Sequence, residues 1–201
     1  FSSEGGGVWT LKADGEDVWG RNDDFYYVWQ PLHGDGEIKV WLHSQPAAHE
    51  WAKAGLMIRE SLDDGSKQAM LCLTPGHGSS FQYRKWTDAE SSAITPDDGQ
   101  DAPATLRLRR KGDTITGTIW RNGGWQTVGS VDIPMWSEAH IGFFANSHNA
   151  WNQTEVKFSD VKVSPLITPN RSNILKGDVL SVNFGQAPGS ATDWIGIFKQ
   201  S

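Results

Sequence analysis

The chain has 201 residues, a formal charge of −6 and eleven tryptophans, with no block of five or more like charges. That balance lacks the basic stripe of a nucleic-acid binder and disfavours polyanionic partners. No run approaches the roughly 18 apolar residues needed to cross a bilayer, so membrane insertion is not expected.

From the N-terminus, the chain begins at Phe1 without Met, which fits a processed chain after removal of a signal peptide, or an excised piece. Apolar and polar residues then alternate in short segments separated by Gly and Asx turns about ten residues apart, the spacing of antiparallel strands in a sandwich or barrel. The predicted strands are 25–32, 37–44, 51–60, 67–74, 80–86, 104–110, 114–121, 125–133, 140–146 and 155–163. Turns at Lys111-Gly112-Asp113 and Asn122-Gly123 close two hairpins, because Asn-Gly accepts positive φ at little cost. Residues 87–103, rich in Ser, Asp, Pro and Gly, read as a long irregular connection. The lone cysteine, Cys72, falls in a strand and is expected to be buried, and no intrachain disulfide is possible. Pro165 and Pro169 interrupt any ladder and mark a boundary, giving a β-sandwich over 1–164 and a linker with a partial β-module over 165–201.

Side chains of a strand alternate between two faces. Ile38, Val40 and Leu42, then Ala52, Ala54, Leu56 and Ile58, then Ala69, Leu71 and Leu73, then Phe81 and Tyr83 form core sets. If these four strands are neighbours in one sheet, their other face pools Trp41, His43, Trp51, Lys53, Met57, Arg59, Gln68, Gln82, Arg84 and Trp86, and the expected ligand-binding set is these residues without Met57 and Gln68. Indoles that stack on sugar C–H faces, beside forked or planar donors for hydroxyl pairs, are what carbohydrate recognition requires. The competing expectation is an ordinary wet outer face.

The runs Asp17-Val18-Trp19-Gly20 and Asp24-Phe25-Tyr26-Tyr27-Val28-Trp29-Gln30-Pro31-Leu32-His33-Gly34-Asp35-Gly36 resemble a concanavalin A-like domain of unknown function related to the C-terminal domain of some xylosidases. Trp51-Ala52-Lys53-Ala54-Gly55-Leu56-Met57-Ile58-Arg59-Glu60-Ser61, Thr74-Pro75-Gly76-His77-Gly78, Phe81-Gln82-Tyr83-Arg84 and the closing Ile141-Gly142, Ser147-His148-Asn149 and Phe158-Ser159-Asp160-Val161 extend the resemblance over about residues 5–164. It implies an all-β, two-sheet antiparallel jelly roll, secreted and appended to a larger protein, without implying an activity. Asn183-Phe184-Gly185 and Asp193-Trp194-Ile195-Gly196-Ile197-Phe198 resemble the opening of an immunoglobulin-like module of secreted phosphoesterases.

Catalytic patterns are weak. A retaining glycosidase needs two carboxylates about 5 Å apart, and none of Glu37, Glu60, Asp132, Glu155 or Asp160 has such a partner in its own strand. Arg59, Arg84, His43 and Tyr27 supply the residue types of a lyase without its strand motifs. The six histidines lack zinc spacing. No cofactor is required; a structural calcium is the metal the residue types allow, with Asp160, Asp23 and Asp24 as ligands. The expected function is a secreted, extracellular, non-catalytic module that binds polysaccharide or cell-surface glycan and tethers other domains of its parent chain. A structural or self-assembly module is the alternative, and a polysaccharide lyase or glycosidase the second.

Overall fold

The structure is a computed structural model that describes residues 7–166, together with the backbone of three short strand segments beyond them. Its strands are β1 (Ser2–Glu4), β2 (Val8–Gly15), β3 (Val18–Trp19), β4 (Asn22–Asp23), β5 (Tyr26–His33), β6 (Gly36–Ser44), β7 (Lys53–Arg59), β8 (Gln68–Thr74), β9 (Gly78–Arg84), β10 (Ser92–Ile94), β11 (Ala104–Lys111), β12 (Thr114–Arg121), β13 (Gly124–Asp132), β14 (Glu138–Asn146), β15 (Asn149–Pro165), β16 (Thr168–Pro169) and β17 (Val182–Asn183). Every predicted strand is present within a few residues. The immunoglobulin-like module expected over 165–201 lies outside the described residues, apart from the β16–β17 pair.

Two antiparallel sheets face each other in an all-β jelly-roll sandwich. One has the order β1-β2-β15-β6-β11-β12-β13 and the other β10-β9-β8-β7-β14-β5. The period-two reading of the faces holds. Ile38, Val40, Leu42, Ala54, Leu56, Ile58, Ala69, Leu71, Leu73 and Phe81 all lie in the main core, with Tyr83 packed against it. Asn122 and Gly123 both have positive φ (53° and 79°), so the β12–β13 connection has the backbone its Asn-Gly pair favours. Phe81 fills space left by two glycines on the opposite sheet, since a Cβ at Gly117 or Gly129 would stand 2.7 or 2.6 Å from its side chain. Phe81 thus fixes the facing of β9 and turns Gln82 the other way.

One expectation fails at the level of sheet membership. β6 pairs with β11 and β15, not with β7. Trp41 and His43 therefore sit on the seven-stranded sheet, separated by the core from Trp51, Lys53, Arg59, Gln82 and Arg84. Alternation along a strand specifies a face, and which sheet owns that face depends on pairings distant in sequence.

Candidate functional site

The non-core face of the six-stranded sheet is not open. The β3–β4 hairpin covers part of it, while β10 extends the sheet at its β9 edge, and a second apolar cluster of Val18, Met57, Met70, Cys72 and Phe144 forms beneath the hairpin, with Phe25 and Tyr27 against it. Cys72 is fully buried, as expected, and burial pushes its thiol up to about 12. The Tyr27 hydroxyl donates to the Met57 carbonyl at 3.0 Å.

Arg59 and Arg84 hold this cover in place. They are 1% and 0% exposed. Arg84 Nη1 and Nη2 donate to the two oxygens of Asp23 at 2.9 and 2.8 Å, and Arg59 Nη2 donates to Asp23 Oδ2 at 3.0 Å. Arg84 Nε and Nη1 also donate to the carbonyls of Gly20 and Ser66, and Arg59 binds those of Ser61 and Asp63. Asp23 is itself almost fully buried. Their expected role as sugar donors is corrected: their donors are committed to a strut between β4 and the sheet, which a ligand would have to break at a cost of several kcal/mol.

The same geometry bears on calcium. Asp23 already accepts from two guanidinium groups, and Asp24 Oδ2 accepts from the Glu16 amide. Asp160 lies on β15, in the other sheet. The three acids do not converge, and among the described residues no group of three or more His, Cys, Asp or Glu side chains could hold a metal. The proposed ligand set does not fit calcium.

What the cover leaves open is a pocket of about 270 Å³ lined by Asp17, Trp19, Trp51, Lys53, Gln82, Ala93, Thr95 and His148. Its walls are mostly apolar. β7 supplies Lys53, with Trp51 just before it; β9 supplies Gln82; β3 supplies Trp19; and the β14–β15 turn supplies His148. One face of Trp51 is stacked on His77, with centroids 3.7 Å apart and planes 20° apart, which holds the indole still. Lys53 Nζ pairs with Asp17, and His148 Nδ1 stands 3.4 Å from the other Asp17 oxygen. Burial holds the His148 imidazole below its ordinary pKa, with Asp17 acting in the opposite direction and Lys53 and His49 adding to the depression.

Gln82 carries the pocket's most pointed feature. Its Nε2 donates to Ser80 Oγ at 3.1 Å, and that hydroxyl also meets Thr95 Oγ1 at 2.8 Å, so the amide is oriented. Its Oε1 is buried with no hydrogen-bond partner. Leaving a buried acceptor unpaired costs about 1–3 kcal/mol.

Of the eight residues expected to bind ligand, Trp51, Lys53 and Gln82 meet here. Trp41 and His43 are on the other sheet, Arg59 and Arg84 are in the strut, and Trp86 stands in the turn after β9, 61% exposed and outside this lining. Asp17, Trp19, Thr95 and His148 were not expected. Trp19 lies in a motif that carries the resemblance, yet its two-residue strand is too short for alternation to assign a face.

No family model matches the sequence, and none of the curated proteins matches it. Solved structures do match. A functionally unknown protein from Saccharomyces cerevisiae superposes with a TM-score of 0.66 at 20% identity, over 80% of this chain and 89% of its own. A xylan β-1,4-xylosidase from Bacillus halodurans gives 0.54 at 16% identity over 75% of this chain, which spans 32% of the xylosidase chain. The carbohydrate-binding module CBM66 from Bacillus subtilis gives 0.50 at 18% identity, over 78% of this chain and 94% of that one. At such identities the likeness shows the fold. Sheet order, core and superpositions agree that this chain has a two-sheet antiparallel jelly-roll fold, shared with part of a xylosidase chain.

Proposed function

We propose that the chain is a non-catalytic carbohydrate-binding module whose site is the pocket between Trp19 and Trp51, and that it serves as a secreted tether holding a larger protein to polysaccharide or cell-surface glycan. The observation that carries this reading is a pocket flanked by the indoles of Trp19 and Trp51, with Asp17, Lys53 and the oriented Gln82 amide group in its walls. A sugar ring offers C–H faces to the indoles and hydroxyls to the polar side chains of the wall. The fold likeness to a carbohydrate-binding module supports the same reading. A volume of about 270 Å³ lies below the roughly 300–1,000 Å³ of sites that enclose drug-sized ligands, so the pocket takes one ring and not a chain segment.

Glycan-array binding of the wild type with Trp19→Ala, Trp51→Ala and Gln82→Ala tests it. Each variant is expected to weaken the best hit by about tenfold, the effect of losing roughly 1.4 kcal/mol. Unchanged binding in all three removes the site.

A further inference from the structure

The outer face of the seven-stranded sheet carries two adjacent rows that the pocket does not involve. Register across β15, β6, β11, β12 and β13 aligns Ser159, Trp41, Thr105, Trp120 and Trp125 at right angles to the strands. The next row aligns Lys162, Lys39, Arg107, Thr118 and Thr127.

The first row is an indole platform. Trp120 is 47% exposed and packs edge-on to Trp125 with centroids 5.4 Å apart. Trp41 meets His43 edge-on, and His43 Nε2 is 2.8 Å from Ser159 Oγ. Trp41 and Trp120 are two strands apart, about 9.5 Å by the usual strand spacing, with the smaller Thr105 between them. That leaves a shallow notch with an indole on each side.

The second row is cationic. Lys162 is directly opposite Lys39, and Lys39 directly opposite Arg107. Like charges in directly opposed positions destabilise a sheet. Among the described residues none of the three is in an ion pair, whereas neighbouring Arg109 is held by Glu37 at 2.9 Å. The Arg107 guanidinium lies 4.1 Å over the Trp125 ring, and its Nε donates to Thr118 Oγ1 at 3.1 Å. It is fixed in place without a direct ion pair, Glu37 acting on it only through longer-range attraction. Asp160 stands beside Ser159 at the end of the platform and makes no ion pair with the row.

We propose that this face is a second glycan-binding surface, specific for an extended polysaccharide bearing carboxylate groups, laid across the strands with its rings on the indoles and its carboxylates on Lys39, Arg107 and Lys162. The indoles match C–H faces, and the cations match a charge that recurs along the chain. The hydroxyls of Thr105 and Thr127 match sugar hydroxyls. A polynucleotide fits less well, because its affinity comes from neutralising many closely spaced phosphates. Here the cations are three in a single row beside the indoles.

Affinity electrophoresis in gels containing polygalacturonate, with neutral galactan and polymer-free gels beside them, tests the proposal. Wild-type protein should be retarded by polygalacturonate and much less by galactan, and added salt should weaken the retardation. Trp41→Ala, Trp120→Ala and Arg107→Gln should each raise the apparent Kd by about tenfold. Lys39→Gln, a surface change that spares the fold, should weaken binding and its salt dependence. Trp51→Ala should leave this binding intact, which separates failure here from failure of the pocket. The proposal is overturned by an unretarded wild type, by variants that bind like wild type, by loss of binding in Trp51→Ala, or by tighter binding of a single-stranded oligonucleotide. A dimer in light scattering that Trp120→Ala dissociates overturns it too, since the face then belongs to a second copy.

Discussion

His148 is poised to report on the pocket. Its ring stacks on His49 with centroids 4.3 Å apart, stands 3.4 Å from Asp17, and keeps a pKa below the ordinary histidine value, chiefly through burial. Asp17 raises that pKa and His49 lowers it, so Asp17→Asn should drive it further down and His49→Ala should bring it up. NMR titration of the imidazole measures both, and shifts of opposite sign to these would refute the assignment. The stability consequence has a definite direction. Between the folded pKa and the ordinary value of about 6.5, the unfolded chain binds a proton that the folded chain does not, so stability rises with pH through that window and is lost as pH falls through it. His148→Asn, which tolerates the residue's φ of 57°, should unfold with less acid sensitivity than wild type when melting is compared at pH 7.5 and 5.5. Such behaviour was not legible in the sequence. His148 was visible within a motif, but its neighbours Asp17 and His49 come from segments far along the chain.

At the scale of elements, the β3–β4 hairpin behaves as a lid riveted by one carboxylate. Asp23 is the common acceptor of Arg59 and Arg84, and its removal leaves two buried guanidinium groups unpaired. Breaking a buried pair in this way costs about 3–5 kcal/mol, a large share of the roughly 5–15 kcal/mol that holds a domain together. Asp23→Ala should therefore keep the sandwich and release the hairpin. In hydrogen exchange the Asp24 amide, bonded to the Asp17 carbonyl at 2.8 Å, should lose protection while the β8 amides keep theirs. Equal acceleration in both would mean that the hairpin is not a separate cooperative unit. Period-two alternation assigned Arg59 and Arg84 to the non-core face correctly, and buried them nowhere. Alternation distinguishes two sides of a strand and says nothing about what lies on top of either. The cover is built from a four-residue ladder, Val18–Trp19 with Asn22–Asp23, too short to show a period.

For the whole molecule, the sandwich turns one strand pattern into two outward surfaces of different character, divided by the core. The sequence made the two faces of β6 to β9 readable, yet pooled residues that belong to opposite sides, because β6 finds its partners in β11 and β15. The net charge of −6 hid the cationic row in the same way, being a sum over the surface that carries no information about position. If the pocket and the indole platform both bind glycan, they lie on the outward faces of opposite sheets, whose backbones alone are about 10 Å apart. Substitutions at such distances add within about 0.5 kcal/mol. The double variant Trp51→Ala/Trp120→Ala should thus lose pocket binding and polygalacturonate binding each by the same factor as the matching single variant. On an immobilised polymer presenting both kinds of ligand, wild type should dissociate more slowly than either single variant by more than the product of the separate effects, because the second contact forms at high effective concentration. Surface plasmon resonance on such a polymer decides it: equal off-rates for wild type and Trp120→Ala would show that the molecule engages one surface at a time.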